Sequence, residues 1–249
     1  ELMDLENRAG KSGGGFCTSF PSLERPYIFA NFNGTDHDVT VLTHEAGHAF
    51  QCYQSRNQPI NRYLWPTYEA CEIHSMSMEF LTWDWMHLFF KEDTDKFLFK
   101  HLAGSLAFLP YGALVDHFQH WVYENPEASP KERKKQWLEL EQIYQPGKNY
   151  DDLDFLKDGG FWQKQAHIYE MPFYYIDYTL AQICAFQFWI RMKEDKESAW
   201  KDYLELCKAG GSMSFLDLVK LANIKSPFDS KVFEEVANNI NDWLEENSL

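Results

Sequence analysis

The sequence is short of basic charge. Lys and Arg number 23 against 38 Asp and Glu, so the formal net charge is -15. Nucleic-acid binding needs a basic surface, and an anionic membrane repels an acidic chain, so we expect neither as a partner. No apolar run reaches the roughly 18 residues that a membrane-spanning helix needs.

Cysteine pairs and nucleophile motifs are also missing. The five cysteines are widely spaced and form no CxxC pair, which argues against a disulfide framework or a cysteine zinc site and favours a cytoplasmic protein with reduced thiols. No GxSxG stretch marks a serine nucleophile. Gly10-Lys11-Ser12 matches the end of a phosphate-binding loop, but Leu5 stands where that motif needs glycine. A flexible glycine-rich loop is therefore expected over residues 10–16.

What the sequence does have is apolar and aromatic content, at 45% and 17%, enough for a large core. A strand is predicted around Tyr27–Phe29, with residues 16–20 as its partner. Apolar residues then follow helical spacing almost to the end. The first predicted helix begins at Thr35, which forms a variant capping box with Asp38, and another begins at about residue 129. Further helices are predicted over about 67–90, 93–108, 111–124, 173–193, 196–208, 214–223 and 230–245. This predicts one mainly α domain over residues 1–249, with a small β element near its N-terminus.

The segment "THEAGHAFQ" is the first candidate for chemistry. His44 and His48 are four residues apart and therefore share one face of a helix, while Glu45 lies one step round it. Nine histidines and ordinary residue frequencies give roughly 0.04 chance matches to HExxH. A catalytic zinc site takes three protein ligands, so two histidines leave the site one ligand short.

The next predicted helix offers the third ligand. Glu69, Glu72 and Glu79 lie on one stripe of a helix that is otherwise strongly apolar, and buried carboxylates need a cation or another partner. A solvated face suits Glu69, near the helix start, better than the other two. Geometry favours Glu72 as the ligand of one zinc ion, because it lies one turn into the helix. Glu79 could accept the second N–H of a ligand histidine.

These residues carry a family resemblance. HExxH followed by a glutamate within "EIHSMSME", 24 residues past the second histidine, resembles the thimet oligopeptidase (M3) family of zinc peptidases. It is most similar to the oligoendopeptidase F branch. "DLENRAGKSGGGFCTSF" and "PYIFANFNGT" also resemble that branch, so the similarity covers essentially the whole chain. It implies a multi-helix, zincin-type catalytic domain that is the C-terminal fragment of a longer chain whose N-terminal helical region is absent.

The resemblance also implies an activity. Relatives are zinc-dependent endopeptidases that act on short oligopeptides, so the expected function is hydrolysis of internal peptide bonds. Zinc activates water and polarises a carbonyl group, and Glu45 is placed to act as the general base. The expected partners are short peptides and the missing N-terminal region of the same protein.

Residues 167–178 supply candidate donors for the transition state. On spacing alone, tyrosines at helical intervals are usually core residues. By the resemblance, His167, Tyr175 and Tyr178 map to the donors that hydrogen-bond the substrate and the oxyanion. Tyr174 and Tyr175 could exchange these roles, so Tyr174 is treated as substrate-binding. A peptide could also add to an exposed strand at 27–31, which makes Phe29 a further candidate for substrate binding.

Several alternatives remain open at this stage. The chain could be a helical peptide-binding module that holds zinc without catalysis. It could also be a zinc carboxypeptidase, with Arg56, Arg62 or Arg191 holding the free carboxylate of the substrate. His117 and His120 form another spaced pair, but without a third ligand nearby they are expected at a surface or interface.

Overall fold

A three-stranded sheet begins the computed structural model, which describes residues 2–248. The strands are β1 (Met3–Glu6), β2 (Phe16–Phe20) and β3 (Arg25–Phe32). Their order is β1-β3-β2, with β1 parallel and β2 antiparallel to the central β3. The predicted pairing of residues 16–20 with β3 is confirmed. The sequence did not indicate β1, because four residues with two carboxylates carry little strand signal.

Helices make up most of the remaining described chain, which confirms the predicted mainly α class. They are α1 (Asp36–Gln54), α2 (Tyr68–Leu81), α3 (His87–Phe90), α4 (Thr94–Glu124), α5 (Pro130–Tyr144), α6 (Asp154–Lys157), α7 (His167–Glu170), α8 (Tyr175–Glu194), α9 (Lys196–Ala209), α10 (Phe215–Leu221) and α11 (Ser230–Glu246). Most of the predicted long helices are present with ends shifted by a few residues. The short α6 and α7 were not predicted, since single turns carry too few periodic positions.

Two predicted helix boundaries are wrong. The helix expected over 67–90 ends at Leu81 and is followed by a 3-10 turn and α3. The break expected before residue 111 is absent, and α4 continues through Pro110. A proline inside a helix removes one backbone hydrogen bond. The buried side chains of Leu109 and Leu114 on either side favour continuing the helix in spite of that loss.

The N-terminus of α1 lacks the predicted capping box. Thr35 makes no side-chain cap. The carboxylate of Asp38 instead accepts hydrogen bonds from the backbone N–H groups of Asn33 and Gly34, so it stabilises the turn before the helix rather than a capping box. The box predicted over residues 129–132 is confirmed at the start of α5.

Helices α1 and α2 lie side by side and approach closely at Gly47. A Cβ atom there would stand 2.5 Å from the carbonyl oxygen of His74 and 2.6 Å from the Cα of Ser75. From α9, Tyr203 donates a hydrogen bond of 2.9 Å to the same His74 oxygen. The glycine inside the HExxH segment therefore sets how closely the two helices pack.

The described chain divides into two compact units. One comprises the residues up to Ala103 together with those from Leu180 onward, and the other is Gly104–Thr179. The first has a core that includes Ile73 and Phe186. The second has its own core, built from Leu114, Val115, Phe118, Trp137, Leu140 and Trp162. The assignment of 1–249 to a single catalytic domain stays a prediction.

One helical stretch, His87–Glu124, is long and apolar enough to cross a membrane by length and composition alone. The uninterrupted apolar runs in this stretch are shorter than the roughly 18 residues that a membrane span needs. A core helix of a soluble protein passes the same test, so this is weak evidence for a membrane span. The expected absence of a membrane partner stays a prediction.

Candidate metal centre

The HExxH segment lies in the second half of α1. The rings of His44 and His48 are neighbours, with centroids 5.1 Å apart, because residues four apart stand above one another on a helix. Glu45 is 6% exposed and lies beside them. One helix thus presents two imidazole donors and a buried carboxylate.

Glu72, from α2, completes a set of three donors. Its Oε2 lies 3.2 Å from Nε2 of His44 and 3.5 Å from Nε2 of His48. The three candidate ligand atoms all lie within 4.8 Å of one another. Glu72 is buried, and Ser75 Oγ donates a hydrogen bond of 2.8 Å to its Oε2. Within residues 2–248, this is the one group of three or more His, Cys, Asp or Glu side chains with that convergence.

The buried charges of this set interact strongly with one another. Burial alone would raise the pKa of Glu72, but the charge of His48 and hydrogen bonds to both histidines hold it well below its ordinary value. Burial would likewise lower the pKa of His44, yet bonds to Glu72 and Glu79 hold it well above its usual range. Two imidazole nitrogens and a carboxylate oxygen form a common ligand set of catalytic zinc sites. A zinc ion therefore fits these donors.

Glu79 contacts Nδ1 of His44, the ring nitrogen that does not face Glu72. Its Oε1 lies 2.7 Å from Nδ1 of His44, and its Oε2 lies 2.7 Å from Nε2 of His101 on α4. Burial would raise the pKa of Glu79, but the two histidines lower it to about 2. The role given to Glu79 by the sequence stays a prediction. His101 was not singled out, because no fixed spacing relates a residue of α4 to Glu79 on α2.

Glu45 occupies a position suited to proton transfer. Its Oε2 is buried and makes no hydrogen bond within the described residues. Burial raises the pKa of Glu45, against the opposing effect of His44 and His48. The glycine-rich loop passes beside it, since a Cβ on Gly15 would lie 3.5 Å from Glu45 Oε1. The absence of a side chain at Gly15 leaves room near the carboxylate.

The expectation of an exposed strand at 27–31 is wrong. Strand β3 is central, with Phe29 opposite Asp4 of β1 on one side and Phe16 of β2 on the other. The ring of Phe29 stacks on that of Phe16 at 4.9 Å. Both backbone edges of β3 are therefore occupied, and within the described residues β2 and β1 are the edge strands. Substrate binding by Phe29 stays a prediction.

A second cluster forms within the Gly104–Thr179 unit. The ring of His167 lies 5.1 Å from Tyr175, 5.8 Å from Tyr178 and 6.0 Å from Tyr174, measured between centroids. Tyr175 packs against the core of this unit, and burial raises its pKa to about 12. The structure thus brings the three predicted donors and the predicted substrate-binding Tyr174 together, and their roles stay predictions.

The amide of Gln165 orients His167. Gln165 Nε2 lies 2.7 Å from Nδ1 of His167, while Gln165 Oε1 accepts a hydrogen bond of 3.0 Å from the hydroxyl of Tyr111. An amide nitrogen donates, so Nδ1 accepts and the ring proton lies on Nε2. His167 in this tautomer is a hydrogen-bond donor through Nε2.

The other spaced histidines have partners of their own. His117 Nδ1 lies 3.1 Å from the hydroxyl of Tyr144, and His120 Nε2 lies 3.5 Å from a carboxylate oxygen of Asp116. Both histidines are exposed. This arrangement agrees with a pair of surface residues.

The arginines proposed for a carboxypeptidase differ in their surroundings. Arg191 pairs with Asp202 at 2.5 Å, so its charge is already neutralised within its own unit. Arg56 lies over the ring of Tyr53, 3.9 Å from its centroid. Arg62 is exposed. Arg191 is therefore the weakest of the three candidates for holding a substrate carboxylate.

Comparisons with known proteins find similarity to peptidases. The sequence model of peptidase family M3 matches residues 1–238. The solved structure of PZ peptidase A with an inhibitor is 58% identical over 98% of this chain, with a TM-score of 0.96. An oligoendopeptidase F homolog of Borreliella burgdorferi is 25% identical over 89% of this chain. Oligopeptidase PepF of Bacillus subtilis is 24% identical over 97% of it. The chain spans 44%, 38% and 37% of these three relatives.

Proposed function

Because the chain belongs to peptidase family M3, we propose that it is the catalytic part of a zinc-dependent endopeptidase that hydrolyses internal bonds of short oligopeptides. The observation that carries this proposal is the convergence of His44, His48 and Glu72 beside the buried Glu45. The family supports a peptidase. The metal and the base are our inference from the donor set, and the preference for internal bonds of short peptides rests on the resemblance to the family.

His44, His48 and Glu72 would hold one zinc ion. A zinc ion supplies Lewis-acid chemistry, which lowers the pKa of water and polarises a carbonyl group. Glu45 accepts the proton of the attacking water and returns it to the leaving amine nitrogen. Its buried Oε2 and its raised pKa suit a group that takes and releases a proton.

His167 and the tyrosines around it would act on the acid side of the reaction. A tetrahedral intermediate needs donors aimed at its oxyanion. The proton on Nε2 of His167, assigned from the Gln165 contact, supports a donor role. Tyr178 and Tyr175 are assigned the same role, with Tyr174 binding substrate.

The substrate backbone would add to β2 rather than to β3. Within the described residues β2 has β3 on one side only, and its first residue, Phe16, follows the glycine next to Glu45. Edge strands bind extended peptides through main-chain hydrogen bonds. This replaces the strand addition at 27–31 that the sequence suggested.

The cellular context is also proposed. Relatives are more than twice as long as this chain, so the missing region of the same protein is the expected partner. The five cysteines are free in the structure, and we place the protein in the cytoplasm.

Metal analysis and product mapping test the proposed function. Wild type should bind one zinc ion and cut a quenched fluorogenic peptide at an internal bond, and a chelator should stop cleavage. Glu45→Gln should keep the metal and lose activity, while Glu69→Gln, at a half-buried position of α2 outside the donor set, should retain both. Zinc binding without cleavage in wild type would favour the non-catalytic module. Release of single C-terminal residues would favour the carboxypeptidase.

A further inference from the structure

A chain of hydrogen bonds extends from the candidate metal ligand His44 into the aromatic core. Glu79 contacts His44 through one oxygen and His101 through the other, both at 2.7 Å. The other ring nitrogen of His101, Nδ1, lies 3.1 Å from the indole nitrogen of Trp83. His101 and Glu79 have side chains only 7% and 10% exposed. Water therefore competes little for these bonds.

A donor-only indole at one end and an acceptor-only carboxylate in the middle fix the direction of each bond in this chain. Trp83 Nε1–H can only donate, so Nδ1 of His101 must accept and carry no proton. The proton of the neutral His101 ring is then on Nε2 and is donated to Glu79. Since the Glu79 carboxylate only accepts, Nδ1 of His44 must also donate to it. With Nδ1 bonded to Glu79, the ring nitrogen of His44 that faces Glu72 and would bind the metal is Nε2.

Aromatic packing holds the far end of the chain in place. The ring of Trp83 lies 5.9 Å from Trp189 of α8 and 5.6 Å from Trp243 of α11. The ring of His101 is parallel to that of Phe97, at an interplanar angle of 8° and 5.7 Å between centroids. Helices distant in sequence from the HExxH segment thus determine the orientation of a histidine within it.

We propose that His101 and Trp83 are positioning residues that act through Glu79 to hold His44 in its metal-binding tautomer and orientation. This rests on the proposed zinc site. Outer partners of ligand histidines commonly contribute 10–100-fold to metal affinity, roughly the loss expected when such a partner is removed.

Two substitutions at His101 separate hydrogen bonding from packing. His101→Gln keeps an amide N–H near the position of Nε2 and an oxygen that can accept from Trp83, whereas His101→Leu keeps neither. Both lose the ring contact with Phe97. Zinc affinity, measured by competition with a chromogenic chelator, should fall about 10–100-fold in His101→Leu and stay close to wild type in His101→Gln. Equal affinities in the two variants would overturn the proposal.

Nitrogen NMR of the metal-free protein provides a second readout. Long-range ¹H–¹⁵N spectra should show His101 with Nδ1 unprotonated and Nε2 protonated, and the signals are assigned by their loss in His101→Gln. Trp83→Phe removes the donor to Nδ1, so the Nδ1 signal should shift in this variant while Nε2 stays protonated toward Glu79. Protonation of Nδ1 in wild type would contradict the proposed bond order. If wild type bound no zinc, the proposed function would fail, whereas the NMR result would still decide the bond order.

Discussion

Gly47 of α1 lies directly against the backbone of α2 at His74, where a Cβ atom would stand 2.5 Å from the carbonyl oxygen. Gly47 falls between Glu45 and His48 in sequence, and Glu72 is two residues before His74. The spacing between the two helices therefore also sets the spacing between the histidines and the third candidate ligand.

Gly47→Ala should force the helices apart. Because the atoms in the way are backbone atoms, we expect a loss of about 1–3 kcal/mol in the free energy of unfolding and weaker zinc binding. Gly104→Ala is the matched control, since Gly104 is also in a helix but has open space at its Cβ position. It should be neutral or stabilising by about 0.5–1 kcal/mol. Urea unfolding and chelator competition measure both effects, and unchanged stability in Gly47→Ala would contradict the close approach.

Glu72→Ala should abolish stoichiometric zinc binding. The substitution leaves two histidines, which is one protein ligand fewer than a catalytic zinc site takes. Glu69→Ala, three residues earlier on the same helix and outside the donor set, should keep one zinc per chain. Metal content after gel filtration distinguishes the two variants. A fully loaded Glu72→Ala protein would show that the third ligand is another residue.

Tyr178→Phe should lower kcat without loss of zinc. Removing one oxyanion donor typically costs about 10²–10³-fold in kcat, with little change in KM. Tyr169→Phe is the control, because Tyr169 lies near the same cluster in sequence but is 56% exposed. Steady-state kinetics on a fluorogenic peptide give both constants. Equal activities of the two variants would assign Tyr178 to packing alone.

His74→Leu should reduce the loss of stability in acid. Burial, and then the charge of His48, lower the pKa of His74 to about 4 from an ordinary 6.5. Between these values the unfolded chain binds a proton that the folded chain does not, so stability falls as the pH drops through this window. The slope is at most about 1.4 kcal/mol per pH unit.

The test compares urea unfolding at pH 7.5 and pH 5 with a chelator present. Wild type should lose up to about 2 kcal/mol from His74 between these values, and His74→Leu should lack this contribution. His87→Leu, at an exposed position, should behave as wild type. The same pH dependence in all three proteins would contradict a neutral, buried His74.

The periodicity of apolar residues was sufficient to predict many of the helices. The ends of α1 and α8 to α11 lie within a few residues of the prediction, because apolar spacing along one helix is local information. The helix break predicted between residues 108 and 111 is wrong, because packing on both sides of Pro110 keeps α4 continuous. The periodicity also missed β1, since a short strand is stabilised by its partner rather than by its own residues.

The sequence by itself determined that His44 and His48 share a helix face, that Glu45 lies next to them, and that Glu72 and Glu79 lie on one stripe of α2. Each of these follows from the 3.6-residue period of one helix. Only the tertiary structure decided which carboxylate meets both histidines and that His101 holds Glu79.

The tertiary structure also decided that Gly47 must lack a side chain and that β3 is central in its sheet. These facts depend on how separate elements pack, and no spacing within one element encodes that distance. The ligand pair was therefore readable from the sequence, whereas the groups that orient it became visible only in the folded chain.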